Sequence, residues 1–355
     1  MVSVIVPMFQ VEDYIGQTIQ SLRSQTLSDL EFILVDDGSA DGTVARATEV
    51  IGDDQRFRLQ KRTNHGPSAS RNFGLNLTKG RYVCFLDSDD LLPADGLELM
   101  VEAAETQQAE LVTGTTLRFD GTKQWPVPLY TNYGVTRPGV KTLTTHPELM
   151  LALGPAAKLC SRDLLRGITF PEHIRLGEDQ PFVLQALVRA RKIVTIDGVV
   201  YHYRVRESQG ESLTQKAISD PLPALADLYE MVEIARGILT DPTLFRYYLS
   251  RVVAFDIWPR VRAGIKSGDG EVQSRAMESL SIWLNQFDAQ DFARDFDPGL
   301  RVWLGVTRHR AQILPGAQEE ARRLKSVAKA LATPAGYLHF LGSGLRHLNR
   351  RGSRG

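Results

Sequence analysis

Cysteine is scarce in this chain of 355 residues, with only Cys84 and Cys160, far apart and in no paired-ligand spacing. That excludes a disulfide framework and a cysteine-built zinc site, and fits a reducing compartment. Long apolar runs are absent as well: nowhere do about eighteen apolar residues follow one another, as a membrane-spanning helix requires. Met1 to Gln10 carry neither a basic segment nor a cleavage-site pattern, so no secretory leader is expected and the reading is cytoplasmic. No charge sign dominates, with 42 basic and 42 acidic residues. Phosphate-binding glycine signatures are also missing. No Gly-x-Gly-x-x-Gly follows the first strand-like run and no Gly-x-x-x-x-Gly-Lys-Ser/Thr occurs, which disfavours a dinucleotide fold and a P-loop.

The even charge balance conceals a segregation. From Arg301 onward eleven basic residues face two acidic ones, Glu319 and Glu320, a net of +9 that leaves −9 for residues 1–300. Length alone suggests two domains. The first ninety residues alternate strand-like and helix-like runs: Ser3 to Val6, helix Val11 to Ser24, Glu31 to Val35, a helix opened by Asp41-Gly42-Thr43 and running through Ile51, Phe57 to Lys61, helix Ser68 to Leu77, Tyr82 to Leu86. That rhythm predicts an α/β fold with a mostly parallel sheet, whose ligands bind beyond the carboxyl ends of the strands. Farther on, 109–118 reads as a strand, 119–142 as a loop, His146 to Leu153 and Glu178 to Ala190 as helices, and Lys192 to Ile196 and Val199 to Arg204 as two strands. Beyond Thr214 helices are punctuated by Asp-Pro pairs, so a boundary is placed near 214–222. The expected domains are 1–215, with halves 1–95 and 96–215, and a mostly helical 216–355.

Three acids, Asp87, Asp89 and Asp90, end the fourth strand-like run. Carboxylates packed at a strand end repel one another and lose hydration, a conflict that a hard divalent cation bridging phosphate oxygens relieves. The bland alternative is a polar loop capping the next helix. Asp36 and Asp37 close the second strand at the same edge, where the alternative is Asp-Gly turn chemistry.

Four segments in order then resemble the successive motifs of family 2 glycosyltransferases: Ser3 to Phe9, Val35 to Thr43, Asn64 to Gly74 and Phe85 to Asp90. The resemblance covers roughly 1–210. It implies a GT-A fold, a nucleotide-sugar donor (a UDP-sugar favoured) and inversion at the anomeric carbon. Carried over by residue, it implies that Pro7 and Phe9 line the base pocket and that Asp36 or Asp37 contacts the uracil or ribose. Asn64 and Arg71 serve the donor, with Arg71 near the diphosphate; the bland reading of Arg71 is a surface arginine. Asp87 with Ser88 would hold the ribose and Asp89 a Mn²⁺ or Mg²⁺ ion, with Asp90 beside it.

Glu178-Asp179 resembles the family's Glu-Asp motif, which implies Asp179 as the base that activates the acceptor hydroxyl, with Glu178 on the acceptor side. Without the upstream motifs the pair would read as acids at a helix start. The stretch from Tyr201 to Arg206 offers Arg204 or Arg206 for the diphosphate and His202 for the metal, against an edge strand followed by a polar loop. Lys158, in a Lys-Leu pair, and Trp125 are further acceptor-side candidates, against a solvated lysine and an aromatic loop anchor.

Processive relatives carry Gln-x-x-Arg-Trp and membrane spans; both are lacking, so single transfer to a glycan or lipid-linked acceptor is expected. The basic tail admits contact with an anionic membrane at the inner face of the plasma membrane, attraction to a phosphate-rich polymer, or docking against the acidic body. Nucleic acid is not an expected partner, and oligomeric state is not legible. The competing function is a catalytically idle nucleotide-sugar or glycan-binding module, which has no need of a base.

Overall fold

The computed structural model describes residues 1–206, 220–267, 269–284 and 286–287. Two compact units divide the chain, Met1–Ser212 with Glu230–Phe245 and Leu213–Tyr229 with Arg246–Gly355. The boundary expected at 214–222 falls mainly on residues outside the described ones, as does all of the basic tail. Among the described residues no helix is long and apolar enough to cross a membrane.

The first unit is built on a nine-stranded sheet in the order β3-β2-β1-β4-β8-β5-β9-β7, with β6 on β5. Its amino-terminal half follows the expected alternation: β1 (Val2–Met8), α1 (Glu12–Arg23), β2 (Leu30–Asp36), α2 (Thr43–Ile51), β3 (Phe57–Lys61), α3 (Pro67–Leu77) and β4 (Tyr82–Phe85). Every residue of β2 is buried, as expected for a parallel strand covered by helices on both faces. The apolar stripe of α1, with Ile15, Ile19 and Leu22 fully buried, packs into the same core as Val4, Val6 and Phe32. Strand order reverses here. β1 to β3 proceed outward on one side, and the crossover through α3 then brings β4 back to the other side of β1, parallel to it. A doubly wound sheet opens its ligand crevice where the order reverses, at the carboxyl ends of β1 and β4.

The second half of this unit adds antiparallel strands to the sheet. α4 (Gly96–Gln107) leads to β5 (Leu111–Phe119). The stretch expected to be loop holds β6 (Gln124–Pro126), the short helix α5 (Pro128–Asn132) and β7 (Gly139–Lys141). The expected helix at His146 to Leu153 is instead a 3₁₀ turn, Pro147–Leu151, begun by a proline. An unanticipated strand, β8 (Lys158–Ser161), lies antiparallel to both β4 and β5. After α6 (Asp179–Arg189), the two expected strands are one, β9 (Ile193–Arg204), with its register to β5 shifted between Thr113 and Thr116. The sheet is therefore mixed, and it is flanked by helices on the GT-A plan.

Farther on, helices Pro221–Ile238 and Pro242–Val252 begin with proline after Asp220 and Asp241, and Asp241 Oδ1 accepts the Thr243 N–H at 2.7 Å. Proline suits a first helical turn, where its missing N–H is not needed. In the second unit, helices Trp258–Lys266 and Gly270–Leu284 approach closely: a Cβ on Gly264 would meet Ala276 Cβ at 2.9 Å. Tyr229 stacks on Trp283, ring centroids 4.8 Å apart, in the same unit.

Candidate active site

The three acids beyond β4 have different neighbours. Asp87 accepts a hydrogen bond from Arg71 Nη2 at 3.1 Å. Asp89 Oδ2 is held by Arg206, through Nη2 at 2.6 Å and Nε at 2.8 Å. Asp90, buried, accepts the Tyr201 hydroxyl at 2.7 Å and the Arg204 N–H at 2.7 Å. Burial, with Asp89 and Asp87 adjacent, holds the Asp90 carboxyl well above the ordinary range. Burial raises Asp89 as well, against the pull of Arg206.

This turn is pinned from two sides. Thr18 on α1 directs its hydroxyl to the carbonyls of Ser88 and Asp90, at 2.9 and 3.0 Å. From β9, Tyr201 accepts the Asp87 N–H at 3.2 Å while donating to Asp90, so one hydroxyl joins both ends of the turn. Arg204 lies 4.5 Å from the Phe119 ring centroid and 5.2 Å from that of Tyr14, its Nε on the Asp89 carbonyl at 2.6 Å. Arg206 packs over Tyr14 at 4.7 Å. Tyr14 and Tyr201 were not picked out as site residues from sequence, although Tyr201 stands in the same stretch as the arginines.

His202 has other surroundings: burial is the one cause of its shifted proton affinity, with no contribution from the acids. The His202 ring packs 6.1 Å from the Phe119 ring, on the face of β9 that also carries Arg204. Burial lowers its proton affinity, and its Nδ1 is buried without a hydrogen-bond partner. Trp125, half-buried on β6 opposite Arg118, is likewise outside the cluster.

Arg71 is the hub. α3 starts after Gly66, whose φ of +91° suits glycine, and its inward face carries Arg71 between Asp87 and Glu178, where Nη1 donates to Glu178 Oε1 at 3.1 Å. The Phe170 ring lies 5.5 Å from the guanidinium carbon. Burial alone would disfavour the cation, but Asp87, Glu178 and Asp179 together hold it charged, above its ordinary affinity. Both Nη groups are thus committed to carboxylates, and the buried Nε has no partner. Arg71 is a bridge from the end of β4 to the start of α6 and not a surface arginine.

Glu178 and Asp179 stand where α6 begins, after a turn at Gly177 with φ +82°. Asp179 lies within electrostatic reach of both Arg71 and Lys158. Lys158 is not solvated: it is buried on β8, its Nζ donating to the Gly154 carbonyl at 2.7 Å, and burial pushes its pKa down to about 8 despite Asp179 and the flanking Cys160 and Cys84.

On the other side of the crevice, Asp37 accepts the N–H groups of His65 and Gly66 at 3.0 and 2.7 Å and so shapes the loop before α3. Asp36, also buried, receives only the Ser39 N–H, at 3.4 Å to each oxygen. Phe9 exposes 44 % of its surface at the end of β1, beside the half-buried Pro7; Asn64 is exposed.

Among the described residues no three His, Cys, Asp or Glu side chains are grouped to hold a metal ion. The donor set still fits one. A small hard cation commonly takes one or two protein carboxylates and completes its shell with substrate phosphates. Asp89 would be that carboxylate, since Asp90 is occupied by Tyr201 and Arg204; burial, with Asp87 nearby, raises its proton affinity against the pull of Arg206.

Residues 3–166 match the model of glycosyl transferase family 2. The glycosyltransferase EpsJ of Bacillus subtilis is 32 % identical over 225 residues, 62 % of this chain and 65 % of EpsJ. A poly(ribitol-phosphate) beta-glucosyltransferase of Bacillus spizizenii is 30 % identical over 219 residues, 60 % of this chain and 33 % of that protein. The chain thus spans between about a third and two thirds of the length of these curated relatives. In fold it is similar to S. aureus TarS 1–349 in complex with UDP-GlcNAc, with a TM-score of 0.73 at 21 % identity, covering 93 % of this chain and 90 % of that one. A mannosyltransferase of Pyrobaculum calidifontis in complex with GDP-Man and Mn²⁺ matches at a TM-score of 0.52 and 17 % identity, covering 87 % of this chain and 84 % of that one.

Proposed function

We propose that this chain is an inverting, non-processive glycosyltransferase that moves a sugar from a UDP-sugar to a hydroxyl of a cell-surface polymer or its lipid-linked precursor. The observation that carries it is the Asp87–Arg71–Glu178 bridge, which ties the acidic end of β4 to the helix start bearing Asp179. A binding module has no use for a second carboxylate held next to the first. The names of the relatives, a poly(ribitol-phosphate) beta-glucosyltransferase among them, and the UDP-GlcNAc bound to TarS support the donor and polymer classes.

In this reading the nucleotide lies in the crevice at the carboxyl ends of β1 and β4. Phe9 offers its exposed face to uracil, and Asp36, whose carboxylate is less engaged than that of Asp37, accepts the base or ribose hydrogen bond. Asp87, with Ser88 beside it, holds the ribose. A Mn²⁺ or Mg²⁺ ion at Asp89 would supply positive charge to the diphosphate oxygens. Arg206, already at Asp89, adds charge beside the leaving group, a donor–acceptor match for phosphate. Asp179 removes the acceptor hydroxyl proton as its oxygen forms a bond to the anomeric carbon and the bond to the diphosphate breaks on the opposite face. Arg71 orients Asp87 and Glu178 and leaves the diphosphate to Arg206.

The test is turnover of a panel of UDP-sugars by the full chain with Mn²⁺ or Mg²⁺, followed as slow donor hydrolysis. Asp179→Asn is expected to abolish turnover while keeping donor binding. Undiminished turnover would exclude Asp179 as the base. The basic residues after Arg301, outside the described residues, are proposed to meet an anionic membrane face or polymer; co-sedimentation of the full chain with anionic vesicles that persists after their neutralisation would refute it.

A further inference from the structure

Lys158 and the segment before it form a feature that no donor role explains. Buried lysines are uncommon unless something holds them, because the ammonium loses its hydration. Here Nζ donates to two backbone carbonyls, Gly154 at 2.7 Å and Ala156 at 3.4 Å, so it clasps the chain that leads to its own strand. The clasp needs an unusual backbone. Ala157 adopts φ +57°, a left-handed conformation that a Cβ disfavours, and its carbonyl is fixed by Thr113 Oγ1 at 2.9 Å. Ala156 bridges to Phe85, the last residue of β4. The segment is thus anchored to β4, β5 and β8 at once. Its other side faces α6: among the described residues, a Cβ placed on Gly154 would have a single heavy-atom neighbour within 4 Å, Asp179 Oδ2 at 3.7 Å. Glycine therefore leaves open the space beside the base.

Building on the proposed function, we infer that Gly154–Ala157, clasped by Lys158, is the acceptor-side wall of the base: Lys158 is a positioning residue that fixes this wall and sets a cation within electrostatic reach of Asp179, and the bare Gly154 leaves room for the attacking hydroxyl. The groups facing this pair come from every neighbouring element: Cys84 on β4, Cys160 on β8, Arg71 on α3, and Glu178 next to Asp179. Both cysteine thiols are pushed up to about 12 by burial and stay neutral, so Lys158 and Arg71 supply the positive charge felt by Asp179.

Two variants of the full chain test this, each read by melting temperature, UDP-sugar KM, and kcat against pH. Lys158→Met removes the charge and the clasp but keeps the volume. Its kcat is expected to fall about tenfold to a hundredfold from the displaced wall. The acid limb of its kcat profile is expected to move up by about half a pH unit or more, because Asp179 has lost a cation. Donor KM should stay within about twofold, since the donor side is untouched. Gly154→Ala has an allowed backbone and an ordinary contact, so it is expected to melt like the parent yet lose about tenfold or more in kcat through the filled space. A Lys158→Met protein that folds with the parent's acid limb, or a Gly154→Ala protein with the parent's kcat, overturns the inference. Absence of any turnover by the parent chain would instead refute the function and this role with it.

Discussion

Replacing Arg71 by methionine removes the cation between Asp87 and Glu178 and is predicted to destabilise the first unit by about 3–5 kcal/mol, the cost of breaking a buried ion pair from one side. The two halves of the bridge do not contribute equally. The Glu178 side chain is 12 % exposed and bears the full cost of an uncompensated buried carboxylate. Asp87 is 37 % exposed, so water screens it and its half is worth about 0–1 kcal/mol. At roughly 2–4 °C per kcal/mol for a unit of this size, calorimetry on the full chain should show a drop of about 6–20 °C. The sharper assay is the pair of substitutions. Arg71→Met with Glu178→Met removes the stranded charge together with its partner, and apolar replacement of a buried pair is often close to neutral. The double variant should recover most of the lost melting temperature while remaining inactive, because Asp87 and Asp179 have lost their common brace. A single variant within about 1 kcal/mol of the parent, or a double variant no more stable than the single, would refute the bridge as the organising contact.

Tyr201→Phe is predicted to cost about 2–4 kcal/mol by chemical denaturation, since it deprives a buried carboxylate of its donor and the Asp87 N–H of its acceptor; a loss under about 1 kcal/mol would show that the hydroxyl does not hold the turn. Arg206→Ala should weaken UDP binding about tenfold or more and steepen its dependence on Mn²⁺, because both neutralise the same charge; unchanged affinity in calorimetry would remove Arg206 from the donor site. The Lys158 pKa, about 8 in the folded chain, lies below the 10.5 of a free lysine. The folded state therefore binds fewer protons over that window, and this residue's contribution to stability rises between about pH 8 and 10.5 and is least favourable below it. Lys158→Met should accordingly compare best with the parent at pH 7 and worse at pH 10; the opposite trend in melting temperature would contradict the buried charge.

The sequence disclosed the donor half of the site and left the brace hidden. β1, β2 and β4 are legible because each is a short apolar run closed by turn residues, β3 because Phe57 and Leu59 alternate with polar residues, and the acids at Asp36–Asp37 and Asp87–Asp90 mark the edge where the strand order reverses. β8 is four residues long, Lys158 to Ser161, too short for a periodicity, and its lysine reads as a surface residue until the strand is seen between β4 and β5. The surroundings of His202 were not legible either. In the folded chain its ring packs against Phe119, on the same face of β9 as Arg204, and burial is the cause of its lowered proton affinity. Arg71 read as a diphosphate ligand because its charge suits phosphate; its pairing with Glu178, more than a hundred residues on, is a tertiary fact that no local pattern carries.

The most direct test of the central claim is calorimetric titration of UDP into the full chain in the presence of Mn²⁺. Binding at one site is predicted, weakened about tenfold or more by Asp89→Asn and by Asp36→Ala, and unchanged by Asp179→Asn. No binding by the parent chain, or equal binding by the Asp89 and Asp36 variants, would contradict a nucleotide site at the carboxyl ends of β1 and β4.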